Sequence, residues 1–204
     1  QEGLGIPLPA STQWEIVDKT AAQLKPAFDE LIRQAAQGEV LHNDDTTMKI
    51  LGRMKSAAQD CPQSKPARTG IFTTAILSRR DGRTLALFFT GKGHAGENLS
   101  TVLAQRAAEL GPPIQMCDGL AHNVPKAFQT ILANCLSHAR RKYVEVAPRF
   151  PEQCRFVLET LAQVYRHDAQ CKEQNLSPLE RLEFHRCHSQ PLMEALRVWL
   201  SEQM

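Results

Sequence analysis

The chain has 204 residues, of which 42% are apolar and 23% charged, and its formal net charge is +2. Those proportions exclude disordered, fibrous and membrane classes and leave a globular chain long enough to bury a core of its own. Six cysteines at irregular spacing make no disulfide framework, and Gln1–Pro9 lacks a secretory pattern, so a reducing compartment is expected. The first residue is not Met and helical pattern runs to Met204, which is expected of a piece of a longer protein.

The near-neutral total hides a pattern. Residues 1–48 carry 3 Lys/Arg against 8 Asp/Glu, residues 49–106 carry 10 against 3, and the remainder carries 11 of each. The basic block includes Lys49, Arg53, Lys55, Lys65, Arg68, Arg79, Arg80 and Arg83. It reads either as a polyanion-binding track or as solvated faces.

In chain order, Thr12-Gln-Trp-Glu15 fits a capping box. Trp14, Val17, Ala21, Leu24, Phe28, Leu31 and Ala35 then follow helical spacing, and Pro26 predicts a break into two helices ending at Gly38. Val40–Leu51 reads as a strand, Cys61–Thr69 as a basic loop and Ile71–Leu77 as a second strand. Arg80-Asp-Gly-Arg83 reads as a hairpin turn into a third strand, Thr84–Thr90. A helix is predicted over Glu97–Leu110, a short buried strand over Ile114–Cys117, a short helix over Ala127–Leu132 and a short strand over Asn134–Leu136. Three helices follow, at about 138–147, 151–172 and 178–203, the last opened by the capping box Ser177-Pro-Leu-Glu180 and kinked or split at Pro191. A meander of strands, then alternating helix and strand, gives a mixed α/β sheet covered by helices. The organisation expected is an N-terminal helical segment (1–37), a core (38–147) and a helical subdomain (148–204).

Chemistry is suggested first by carboxylates. Asp44 and Asp45 sit in a strand pattern, where Asp is disfavoured. Asp118 follows another strand at its carboxyl end, where ligands gather in such sheets. Carboxylates brought together there would suit a hard divalent cation such as Mg²⁺; the alternative is an Asp-capped turn at each position. A rival is Gly91-Lys-Gly93-His-Ala-Gly96, a G-x-G-x-x-G run after a strand and before a helix. With Asp118 placed 22 residues beyond Gly96, it would make the chain an NAD-type dinucleotide-binding oxidoreductase. Cys135-x-x-His138, His167 with Cys171, and His185, Cys187 and His188 have spacings that allow zinc, with buried thiols and surface histidines as the alternative. Arg140-Arg141-Lys142 suits phosphate contact, or an internal salt bridge with Glu145.

His42-Asn-Asp-Asp-Thr46, Asp118-Gly119, Cys135-Leu-Ser-His-Ala-Arg-Arg-Lys-Tyr143 and Ser189-Gln-Pro-Leu-Met-Glu-Ala-Leu-Arg-Val-Trp-Leu200 occur in this order. Together they resemble the bacterial insertion-sequence-66 family of transposases. That family has an Asp-Glu-Thr strand, an Asp-Gly-Tyr turn and a Cys-x-x-His-Ala-Arg-Arg-x-Phe segment in those places. The resemblance covers nearly the whole chain. It implies a ribonuclease-H-like five-stranded core of the DDE type, which cuts DNA strands and joins the 3′ ends to a target with two Mg²⁺ or Mn²⁺ ions.

On this resemblance Asp44 and Asp118 are metal ligands, and Asp45 stands at the family's Glu. Leu120 replaces the usual Tyr. His138, Arg140 and Arg141 match the family's histidine and arginine pair. With Arg53, Lys55, Arg79, Arg80 and Lys142 they are the candidate DNA contacts. The third acid of the family belongs to an Asn-Asn-x-x-Glu-Arg segment that these 204 residues lack, and Glu145 is the runner-up for that role. The resemblance therefore implies an incomplete catalytic core, inactive alone, that acts on bacterial cytoplasmic, nucleoid-associated DNA as a homo-oligomer. A non-catalytic DNA-binding or oligomerisation module is the remaining alternative.

Overall fold

The computed structural model describes residues 8–49 and 70–203; Arg53, Lys55 and the loop expected over 61–69 lie outside the described residues. The described chain divides between Asn134 and Cys135 into two compact units.

The first unit is built on strands β1 (Val40–Lys49), β2 (Gly70–Arg80), β3 (Arg83–Gly91), β4 (Ile114–Cys117) and β5 (Ile131–Asn134). They form one sheet in the order β3-β2-β1-β4-β5. The β1–β2 and β2–β3 pairs are antiparallel, and β1–β4 and β4–β5 are parallel. This is the mixed five-stranded sheet expected, an α/β fold consistent with a ribonuclease-H-like core. Asp81 and Gly82 turn the β2–β3 hairpin with positive φ at both positions (49° and 72°), the type I′ geometry that an Asp-Gly pair favours.

Helices α1 (Ala10–Ala35) and α2 (Ala95–Leu103) supply the core on one face of the sheet. Alternation along the strands sends Leu41, Ile76 and Leu87 to that face, where they meet Ala35, Ala36, Leu99, Val102 and Leu103. Each of the larger side chains contributes roughly 1.5–3 kcal/mol by leaving water. Further from the sheet, Trp14, Val17 and Leu24 of α1 remain exposed.

Several local expectations shift. The first helix begins at Ala10 after Pro9, so Thr12 lies inside it rather than capping it. Pro26 does not divide it, and Pro191 likewise sits inside one continuous helix. A proline removes a single N–H, and helices this long continue through that loss. The helix expected over 97–110 is shorter and starts earlier, at Ala95. The short helix expected over 127–132 is absent: Ile131–Asn134 is instead the strand that was predicted three residues later. Parallel pairing with β4, Ile114 to Ile131 through Cys117 to Asn134, decides a run whose periodicity is ambiguous.

The second unit consists of α3 (Leu136–Val146), α4 (Pro151–Glu173) and α5 (Pro178–Glu202). Val157, Leu161 and Leu196 form its core, with Leu136, Tyr143, Met193, Trp199 and Leu200 packed around them. The Ser177–Glu180 capping box forms as the sequence predicts. Asp168 of α4 bonds Arg181 of α5 at 2.6 Å and Lys172 at 2.7 Å, and these cations hold its carboxyl below the usual range.

Candidate metal centre

The β1–β4 register places the first two candidate carboxylates. Val40, Leu41 and His42 lie beside Ile114, Gln115 and Met116. The same offset, continued two residues, sets Asp44 beside Asp118. One carboxylate oxygen of each lies within 4.8 Å of the other. Asp44 is exposed and Asp118 half-buried, so the pair opens to solvent. Like charges this close repel unless a cation or proton separates them, and an all-oxygen pair suits a hard divalent ion that keeps several waters. The donor set therefore fits Mg²⁺ or Mn²⁺.

Asp118 is positioned from behind. Its Oδ1 accepts from the Leu120 backbone N–H at 3.0 Å and from Asn123 Nδ2 at 2.5 Å. Asn123 belongs to a 3₁₀ turn, Ala121–Asn123. Its carbonyl accepts from Asn43 Nδ2 and from Gln115 Nε2, both at 2.8 Å. Gln115 Nε2 also donates to Asn43 Oδ1, and Gln115 Oε1 accepts from Thr130 Oγ1, again at 2.8 Å. Asn43, Gln115 and Asn123 are buried, so this network ties β1, β4 and the turn that carries Asp118 into one polar unit. The sequence reading missed these three residues. Their sign was available: Asn43 and Gln115 are polar at inward strand positions.

His42 lies two residues before Asp44 on the same side of β1. Burial and the positive charge of Arg79 lower its pKa, which favours the neutral imidazole.

The other candidates stand on other elements. Arg79 and Arg80 are exposed at the β2–β3 hairpin. Arg79 pairs with Val40, while Ala75 pairs with Asp44. Four residues of strand, about 14 Å, therefore separate Arg79 from the level of the carboxylates. Arg80 contacts Asp81 at 3.3 Å. His138, Arg140, Arg141, Lys142 and Glu145 stand on α3 of the second unit, and Lys142 holds Glu145 at 2.9 Å. Among the described residues, no three of the cysteines and histidines noted for zinc bring their ligand atoms within 4.8 Å of one another. Cys135 sits at the start of α3. Burial raises its thiol pKa, but hydrogen bonding from His138 and the helix-start N–H groups outweighs this and leaves it lowered.

The glycine run takes a different role from a dinucleotide loop. β3 is an edge strand, and the chain passes through α2 to β4 on the far side of β2 and β1. At the start of α2, where a phosphate would be cradled, the Ala95 N–H is already bound to Asp45 Oδ2 at 2.9 Å. Nothing crowds Gly91. At Gly96 a Cβ would meet the Val124 and His122 carbonyl oxygens at 2.5 and 2.7 Å. That glycine is explained by close approach of the 121–123 turn.

The sequence model of the Transposase IS66 family matches residues 1–204. An uncharacterized protein of Sinorhizobium fredii (strain NBRC 101917 / NGR234), y4hP, is 28% identical over 217 residues, covering 98% of this chain and 37% of the relative. The chain thus spans little more than a third of that relative's length. Among the described residues, no helix is long and apolar enough to cross a membrane.

Proposed function

Because the chain belongs to the IS66 family of transposases, we propose that it carries part of a metal-dependent site for DNA strand cleavage and strand transfer, with Asp44 and Asp118 as two of its ligands. The observation that carries this reading is the meeting of Asp44 of β1 with Asp118, the residue just past the parallel strand β4, with oxygens within 4.8 Å. Bound Mg²⁺ or Mn²⁺ would activate a water or 3′-hydroxyl and stabilise the leaving oxygen of a phosphodiester.

The chain's own contribution is orientation. The bonds from Leu120 and Asn123 both fall on Oδ1 of Asp118 and fix the orientation of its carboxylate. The rigid β1–β4 register fixes the spacing to Asp44. Glu145 is the candidate third acid within these residues. To serve, its carboxylate must leave Lys142.

Exposed Arg79, Arg80, Arg140, Arg141 and Lys142, with His138, are proposed as contacts to DNA phosphates. Strand transfer is assigned to the full-length protein acting as an oligomer on bacterial cytoplasmic DNA. The test is joining of a 3′-hydroxyl oligonucleotide bearing the element's end to plasmid by the full-length protein in Mn²⁺. Joining by wild type that is abolished in both Asp44→Asn and Asp118→Asn supports the proposal. Joining at wild-type rate in either variant overturns it.

A further inference from the structure

Alternation along β1 sends Asp45 to the face opposite Asp44, and there it meets two histidines. One ligand atom each from Asp45, His94 and His122 lies within 4.8 Å of the others. We propose that these three residues form a second metal site, separate from the Asp44–Asp118 pair, that takes a borderline transition ion such as Zn²⁺ or Co²⁺.

The arrangement is more than an ion pair in passing. Asp45 Oδ2 and His94 Nδ1 are 3.3 Å apart. Two ligands bound at about 2.0–2.1 Å on adjacent corners of a tetrahedron stand about 3.3 Å from each other. The Asp45 side chain is only 6% exposed. Its orientation is set by the Ala95 N–H on Oδ2 and by the Thr74 hydroxyl, which donates to Oδ1 at 2.6 Å. Thr74 in turn accepts from Asn98 Nδ2 at 2.7 Å. Hydrogen-bonded support behind a carboxylate is how ligating carboxylates are held in place.

The histidines are positioned as well. The His94 ring lies against Phe72 (centroids 4.2 Å apart) and against His122 (4.6 Å). His122 arrives because Gly96 lets the 121–123 turn approach the start of α2 more closely than any side chain would permit. Three ligands thus come from a strand, a helix start and a turn.

On their open side is a cavity of about 600 Å³ lined by both histidines, with Glu97, Ser100 and Lys126 among its other walls. Three protein ligands beside an open space match sites whose fourth position takes water or an exogenous ligand. Two imidazoles with one carboxylate favour Zn²⁺ or Co²⁺, whereas the all-oxygen Asp44–Asp118 pair favours Mg²⁺.

The test is Zn²⁺ titration of the 204-residue chain by calorimetry in excess Mg²⁺, repeated with Co²⁺ while recording the visible spectrum. The proposal expects one Zn²⁺ per chain and a Co²⁺ spectrum of low coordination number. Affinity should fall at least about tenfold in His122→Ala and in His94→Gln. It should stay within about twofold of wild type in Asp118→Asn and in His167→Ala, which separates this site from the proposed catalytic pair and from the histidines of the helical unit. His122 is exposed, so its variant reports even where the His94 substitution disturbs folding. Absence of stoichiometric binding, wild-type affinity in His122→Ala, or loss of binding in Asp118→Asn would overturn it, leaving an Asp45–His94 pair that caps α2.

Discussion

Replacing Gln115 by Leu tests whether the buried amides hold the carboxylate pair in place. Gln115 is fully buried and makes three hydrogen bonds at 2.8 Å: to Asn43 Oδ1, to the Asn123 carbonyl and from the Thr130 hydroxyl. Leu has similar length but no polar atoms. The Asn123 carbonyl keeps its bond from Asn43, so two groups are orphaned, Asn43 Oδ1 and the Thr130 hydroxyl. A buried polar group left unsatisfied costs about 1–3 kcal/mol. Thr130 is half-buried and recovers part of its loss from water, so the expected destabilisation is about 2–4 kcal/mol. Urea unfolding followed by far-UV circular dichroism measures it. The double variant Asn43→Leu/Gln115→Leu should lose less than the sum of the two single changes, because removing both partners leaves fewer orphans. A loss below about 0.5 kcal/mol in Gln115→Leu, or strict additivity in the double variant, would refute the claim that these amides act as one unit.

Two further outcomes follow from local geometry. Gly96→Ala should destabilise the first unit by about 1–3 kcal/mol despite alanine's better helix propensity, because its Cβ would press on two backbone carbonyls. A rise in urea midpoint would contradict this. Asp168 titrates below its ordinary value of 3.8 because Lys172 and Arg181 favour the carboxylate. Its contribution is therefore present above about pH 4 and lost as pH falls through the depressed folded-state value. Asp168→Asn should cost up to about 1 kcal/mol at pH 7, since the group is partly exposed, and progressively less as pH falls below about 4. A pH-independent difference between wild type and variant in urea titrations would refute the assignment.

Much of the first unit was legible because strong local chemistry agrees with the tertiary result. Asp81-Gly82 fixes the hairpin, the alternation in β1–β3 fixes the buried face, and Asp44 stands out as an acid inside a strand and Asp118 as one at a strand's carboxyl end. The failures have physical causes. Ile131–Asn134 is too short for its period to tell helix from strand, so pairing with β4 decides it. Thr12-Gln-Trp-Glu15 has the composition of a cap, yet the helix has already begun at Ala10. The glycine run matches a phosphate-binding pattern by composition alone. Only the structure shows Asp45 occupying the N–H that a phosphate would need and Gly96 packed against carbonyls. The supporting shell of Asp118 was the hardest to read, because Asn43, Gln115 and Asn123 are distant in sequence and acquire their roles by meeting.

Asp44 and Asp118 are proposed to hold a divalent cation between them. Counting bound Mn²⁺ by electron paramagnetic resonance in wild type, Asp44→Asn and Asp118→Asn tests this most directly. Wild type should bind Mn²⁺, and each single variant should bind at least about tenfold more weakly, because each removes one of two charged ligands. Equal Mn²⁺ affinity in all three proteins would contradict the account.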